Sequence, residues 1–526
     1  MVIAIAAAFA APDPAWAGDH HLVDALGWAA DDAQIRRLLR DARSPDGRFA
    51  DSLQAAARDG RAKHLPLVAA EATLLDDGGS RKMLHVRQAV VYTNTHDTRL
   101  DELVLRVIGA GEHEFPGAAR VVSLTVDGRP AQSTLDATVL RVHLDEPLRR
   151  GDRARVALEM VSELHAFDPE RTPYKLKRLN AEAVGVHGFS GGAVHLAGLF
   201  AQPTAWLGDG FDRRPLPING EYAVFDPMNA HLVIDVPDTY EIVTGGVELS
   251  RGVSGGRRSV VAVSADTRDL MVALSTDLVP REVDVEGLRL RVYTPTDEAL
   301  LARQITRWAV AAVETFTAEY GPLSIAELDI LEAPLTIAAG AEFSGLVLVD
   351  SSPAGSGGSD DVELGLTVAH EVAHQWWSGE VGSDARDEPW VDEALATHGA
   401  MLVLEQLEGR PAVQRRLDAQ ERGLRDGLEV FGLPAMAADL PSEQYDLYRY
   451  GAIVYGRGGR FIDAARSAMG AEAFRLAMHD YLKRYRGQRA TGDDLLRCLK
   501  RRAPDPALIE QLRASILRGP PSPEGP

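Results

Sequence analysis

Hydrophobic positions follow two different rhythms along this chain. From about Leu65 to Leu278 they come in short runs rich in Val, Leu and Thr: HVRQAVVYTN, ELVLRVIG, ARVVSLTVDG, ATVLRVHL, RARVALEMV, HLVIDV and SVVAVSA. Turn formers such as DG, GD and GG separate the runs. Strands at that spacing predict an antiparallel β-sandwich or saddle-shaped sheet. Past about Val279 the rhythm changes. LRLRVYTP, ELDILEA and AEFSGLVLVDSS still read as strands, whereas ALLARQITRWAVAAVETFTAEYG has amphipathic helical spacing. A flexible stretch, PAGSGGSDD, ends at Asp360 and Asp361, which are placed to cap a following helix. PWVDEALATHGAMLVLEQLEG, VYGRGGRFIDAARSAMG, EAFRLAMHDYLKRYRG and GDDLLRCLKRR then continue in helical period.

The expected architecture is multidomain α+β. An N-terminal antiparallel β saddle or sandwich occupies residues 65–280, and a mainly helical domain occupies 281–517. Residues 18–64 read as a helical lead-in, with AQIRRLLRDA from Ala33 to Ala42 at helical spacing, and residues 518–526 as a disordered tail. The chain shows no internal repeat.

Composition narrows the classes. With 526 residues, 45% hydrophobic and 25% charged, the chain is ordinary globular material. Two to four domains are expected at roughly 100–200 residues each. A formal net charge of −21 argues against a nucleic-acid partner, because phosphate binding needs a basic face. Cys498 is the only cysteine, which excludes internal disulfides, a multi-cysteine metal site and lipid attachment near Ala17. The apolar run Val2–Ala11, followed by Ala15-Trp16-Ala17, reads as a signal peptide over residues 1–17 and predicts export. No Lys or Arg precedes the run, so a truncated membrane anchor or a cytoplasmic chain is the alternative. No later stretch is apolar and long enough for a stable membrane span.

The chemistry gathers in TVAHEVAHQWW, Thr367 to Trp377. On a helix, His370 and His374 share one face and can reach a single ion, while Glu371 lies beside them, placed to contact a water. A catalytic zinc usually keeps three protein ligands and one open position. Eighteen residues separate His374 from Glu393, which lies in the helical run PWVDEALATHG and completes a His2Glu site. Val372, Ala373, Trp376 and Trp377 make the first helix apolar, so burying two histidines and a glutamate there without a ligand would be costly.

HEVAHQWW followed by PWVDEALA at that interval resembles the aminopeptidase N family of gluzincin zinc metallopeptidases. The resemblance runs from about His85 to Leu499 and takes in YTNTHDTRLDELVLRV, DGRPAQ and ADTRDLMVALS. It implies a saddle-like β domain ahead of a thermolysin-like catalytic domain, with one Zn2+ per chain. It also implies a carboxylate for the free α-ammonium of a peptide, in a G-A-M-E-N motif upstream of the metal helix. The matching stretch here is AAGAEFSGLVLVD, which places that carboxylate at Glu342, with Gly340 and Ala341 on the substrate side. Ala341 stands where the family has methionine and Phe343 where it has asparagine, changes that bear on the first side-chain pocket. The family's oxyanion-stabilising tyrosine sits in Y-x-[KR]-G. Of Tyr445, Tyr448, Tyr450 and Tyr455, only Tyr455 satisfies that pattern, with Tyr448 second.

The expected function is therefore removal of the first residue from peptides with free N-termini, with Glu371 as general base and Tyr455 on the oxyanion. A related zinc endopeptidase is the alternative, and a non-catalytic binding module the more distant one. Many members carry a large C-terminal helical domain over the active site; the short C-terminal portion here implies a more open cleft.

Overall fold

The computed structural model describes residues 64–519 except 77, 79–80, 113–114, 170–184, 218, 221–222, 337 and 352–360. The expected signal peptide, nearly all of the lead-in, Asp360 and most of the tail lie outside the described residues.

Alternation builds the first half. In β1 (Leu67–Asp76) and β2 (Lys82–Thr93), Val68, Ala70, Ala72 and Leu74 face the same core as Val86 and Val90. The two strands pair antiparallel with Val68 opposite Val90. With β3 (Arg153–Leu164), β4 (Met228–Pro237) and β5 (Arg257–Thr267) they form most of an eight-stranded sheet. Smaller sheets complete the region, one of them ordered His187–Ser190, Ala193–Ala197, β6 (Met271–Ser275), Glu241–Thr244.

One pair departs from the antiparallel expectation. β1 runs parallel to β4, with Leu67 opposite Asn229. Parallel neighbours need a long crossover, and here the chain between them supplies β2, β3 and strands of the smaller sheets before returning. Alternation along a strand reports which face is buried, not the direction of its neighbour.

A second sheet begins with β7 (Val279–Val285) and β8 (Leu288–Thr294), followed by α1 (Ala299–Tyr320), β9 (Glu327–Glu332), β10 (Gly340–Phe343) and β11 (Leu346–Val349). Its spatial order is β7-β8-β9-β11-β10, with β8, β9 and β11 parallel and β10 antiparallel at the edge. The free side of β10 therefore has backbone groups available to an extended ligand.

Behind that edge lie α2 (Asp361–Ala373) and α3 (Trp390–Glu408). α4 (Arg410–Phe431) follows, and after a loop a π-helical turn (Tyr450–Arg457) runs into α5 (Gly458–Met469). α6 (Ala471–Tyr485) and α7 (Gly492–Arg502) close the bundle. Every residue of α3 from Trp390 to Leu404 is buried. A Cβ at Gly399 would stand 2.9 Å from the Cβ of Ala373, so glycine is what lets α3 cross α2 this closely. Trp308, Phe316, Trp376 and Trp377 fill the space around the crossing. Among the described residues, no helix is long and apolar enough to cross a membrane.

Candidate metal centre and active site

The crossing of α2 and α3 turns a spacing in sequence into a triad in space. His370 Nε2 lies 3.1 Å from His374 Nε2 and 3.1 Å from Glu393 Oε2, and His374 Nε2 lies 3.4 Å from the same carboxylate oxygen. Three ligands at about 2.0–2.1 Å from a tetrahedral zinc stand about 3.3 Å apart, so the triangle fits that ion. Its hydrogen-bonded surroundings fit as well. His374 Nδ1 donates to Trp377 O at 3.0 Å, which leaves the Nε2 lone pair for a metal. Thr397 Oγ1 stands 3.5 Å from His370 Nδ1.

The electrostatics ask for a cation. Burial would raise the Glu393 carboxylate, but hydrogen bonds from His370 and His374 overcome it and hold the group down at about 2. Burial would lower His374, but the carboxylates of Glu342 and Glu393 outweigh it and push the imidazole up. Glu371 is raised by burial first and by Glu342 second, and its Oε2 is buried without a hydrogen-bond partner among the described residues. Several carboxylates thus converge on a space fitted for a dipositive ion.

Glu342 reaches this cluster from the sheet. It sits on β10 opposite Val347, with Oε1 3.6 Å from His374 Nδ1, and burial pushes its carboxyl up to about 7. Glu342, Glu371 and His374 bring their ligand atoms within 4.8 Å of one another. Gly340 has a steric reason to be glycine, since a Cβ there would stand 2.5 Å from Glu371 Oε1 and 2.6 Å from Glu371 Cγ. Ala341 lines the same cavity and packs against the apolar cluster of Leu216 and Phe343.

Two residues that sequence reasoning passed over hold the β10–β11 turn. Gln375, buried one residue past His374, donates to Phe343 O at 3.1 Å and accepts from Gly345 N at 2.9 Å. Asp269, between β5 and β6, accepts from Ser344 N at 2.8 Å. The adjacent Arg268 is buried and donates to Phe225 O at 3.2 Å and Gln488 O at 2.8 Å, which ties the β region to the helical one. Both Gln375 and Asp269 stand inside quoted motifs, but nothing in those strings pairs them with a turn 30 or 75 residues away.

The four tyrosines separate cleanly. Tyr455 stacks on His370 with ring centroids 5.5 Å apart, and burial followed by the Glu393 charge raises its phenol well above the ordinary value, so it remains a proton donor. Tyr448 is turned away, its hydroxyl donating to Gly423 O at 2.9 Å on α4. Tyr445 is spent on Ala437 O at 2.6 Å. Tyr450 lines the cavity, its ring centroid 5.8 Å from that of Tyr455. The cavity enclosed by these groups is about 460 Å³.

Two histidines and a glutamate on crossing helices, with a glutamate beside the first histidine, define the gluzincin class of zinc metallopeptidases. Residues 312–514 match the peptidase family M1 domain. Rice Aminopeptidase M1-B (Oryza sativa subsp. japonica) is 29% identical over 239 residues, covering 42% of this chain and 26% of that protein. Aminopeptidase N of Lactobacillus delbrueckii subsp. lactis is 30% identical over 135 residues, covering 25% of this chain and 16% of that protein. Among solved structures, an M1 zinc metallopeptidase from Deinococcus radiodurans has the same fold at a TM-score of 0.60 and 19% identity, covering 88% of this chain and 96% of that one.

Proposed function

We propose that this chain is a zinc-dependent aminopeptidase that hydrolyses the N-terminal peptide bond of peptides. The observation that carries the reading is the partly buried Glu342 carboxylate, on the open edge strand and beside both the histidine–glutamate triad and Glu371. A cleft for mid-chain cleavage has no use for an anion there, where an uncharged peptide backbone would leave it unpaired. A terminal ammonium satisfies it. The names of the curated relatives agree with this reading, and a mutant of the Deinococcus radiodurans M1 zinc metallopeptidase has been solved bound to a Tyr-Ser-Ala substrate.

His370, His374 and Glu393 would hold the zinc, which when bound supplies a Lewis acid for the scissile carbonyl and lowers the pKa of water in the site. Glu342 holds the substrate's ammonium and thereby sets cleavage one residue in. The free edge of β10 aligns the substrate backbone by strand addition. Glu371, against Gly340, takes a proton from the attacking water and returns it to the departing amine. Tyr455 donates its phenolic hydrogen to the carbonyl oxygen as negative charge builds there.

A peptide panel tests this reading. Each peptide is offered with a free and with an N-acetylated terminus, to zinc-loaded and to chelator-treated protein, with products read by mass spectrometry. Loss of the first residue from free peptides only, abolished by chelator and restored by zinc, is the expected result. Equal cleavage of acetylated peptides would instead make the protein an endopeptidase.

A further inference from the structure

The cavity wall carries the carboxylates of Asp269, Glu342, Glu363, Glu371 and Glu393, and among its described lining residues Arg416 is the only Lys or Arg. Arg416 projects from the first half of α4 and forms a two-pronged pair with Glu363 of α2, Nη2 to Oε2 at 2.8 Å. Its side chain is 32% exposed and that of Glu363 31%. An ion pair this exposed adds little to stability. Its position on the cavity wall gives it another use. A guanidinium has five N–H donors, and an end-on carboxylate occupies one on each terminal nitrogen, so the outer hydrogens remain for a second acceptor.

The contacts between β10 and α2 fix which part of a peptide would arrive there. Gln375, just past the end of α2, binds Phe343 and Gly345, whereas Glu371, one turn earlier, packs on Gly340. Strand and helix therefore run in the same direction. A peptide whose ammonium sits on Glu342 leaves it past Gly340, and its remainder travels toward the start of α2. The cavity agrees, since its α2 lining is Glu363, Leu366, Thr367, His370 and Glu371, with nothing beyond. Glu363 lies seven residues before His370, about 10.5 Å along the axis on nearly the same face. An extended chain covers that span in about three residues at 3.3–3.6 Å each.

We propose that Arg416 is a specificity-determining residue that reads the C-terminal carboxylate of tri- and tetrapeptides. The leaving fragment of such a substrate ends beside the guanidinium, the only arginine or lysine among the described residues of the cavity wall. Longer peptides pass the same point with an uncharged backbone and forgo the interaction. Glu363 orients the guanidinium and, by neutralising part of its charge, weakens its hold, which favours release of the product. This inference rests on the aminopeptidase reading and deepens it.

The test compares kcat/KM for trialanine and tetra-alanine as free acids and as C-terminal amides, with alanine p-nitroanilide, which ends before Arg416, as the reference in every variant. In the unmodified protein the free acids are favoured by about tenfold. Arg416→Gln brings the acid-to-amide ratio close to one, Arg416→Lys restores part of it, and Glu363→Gln raises it. A ratio that Arg416→Gln leaves unchanged, or no acid preference at the outset, overturns the assignment. If the zinc-loaded protein cleaves neither the anilide nor any peptide, the aminopeptidase reading falls, and this inference with it.

Discussion

The histidine–glutamate triad and the Glu342 carboxylate meet at one cavity, yet they are held in place by different means. His370, His374 and Glu393 stand on two helices whose crossing is buried and close-packed, with Gly399 against Ala373 and a tryptophan-rich core behind them. Glu342 stands on a four-residue edge strand with one hydrogen-bonded neighbour. Its turn is held by Asp269 from the β region and Gln375 from the end of the metal helix. The chemical step thus rests on local structure. On the proposed function, the choice of where to cut rests on contacts gathered from three distant parts of the chain.

The largest effect is expected on the helical side. Glu371→Gln keeps the volume of the side chain but removes the base, and kcat/KM should fall by about 100- to 10,000-fold while zinc content by elemental analysis stays near one per chain. Loss of zinc together with activity would mean that Glu371 serves the metal rather than the proton, and the division drawn above would be wrong.

A smaller and different effect is expected on the strand side. Asp269→Ala removes the acceptor for Ser344 N and frees the turn beside Glu342. KM for peptides with free N-termini should rise by about tenfold, since a site loosened by about 1 Å loses much of its orienting power. Zinc affinity and kcat should not follow it. If kcat and zinc affinity fall as KM rises, the two sides of the site are one mechanical unit.

This difference in construction also explains what was legible in the sequence. His370, Glu371, His374 and Glu393 fall on two helices with regular period, so spacing alone brought them together. Glu342 and Tyr455 were found through the resemblance, because neither a strand end nor one tyrosine among four identifies itself. Tyr450 reaches the cavity wall for a local reason. It opens the π-helical turn, where residues five apart stack, so Tyr450 and Tyr455 share a face that an α-helical reading separates. The β1–β4 parallel pair and the Asp269–Ser344 contact join segments far apart in sequence, and no periodicity encodes them. Arg416 gave no signal either, being one charge among many on an amphipathic helix.

The smallest effect probes why the helical side is firm. His398, five residues beyond Glu393 on α3, is fully buried, and neither ring nitrogen has a partner among the described residues. Burial pulls its pKa from 6.5 down to about 4, with Asp463 opposing and Arg466 and Arg410 adding to the fall. A histidine neutral in the fold and protonated in the unfolded chain stabilises the fold fully above about pH 6.5, and that contribution drains away as pH drops toward 4. At pH 5 the loss is roughly 2 kcal/mol. His398→Leu removes the titration, so the fall in unfolding free energy between pH 7 and pH 5, measured in urea, should shrink by about that amount. At pH 7 the variant should be equal or slightly more stable, because two unpaired polar atoms are gone from the core. A variant that instead loses stability at both pH values would show that the imidazole is a structural hydrogen-bonding group, and that the platform under Glu393 depends on polar contacts as the Glu342 strand does.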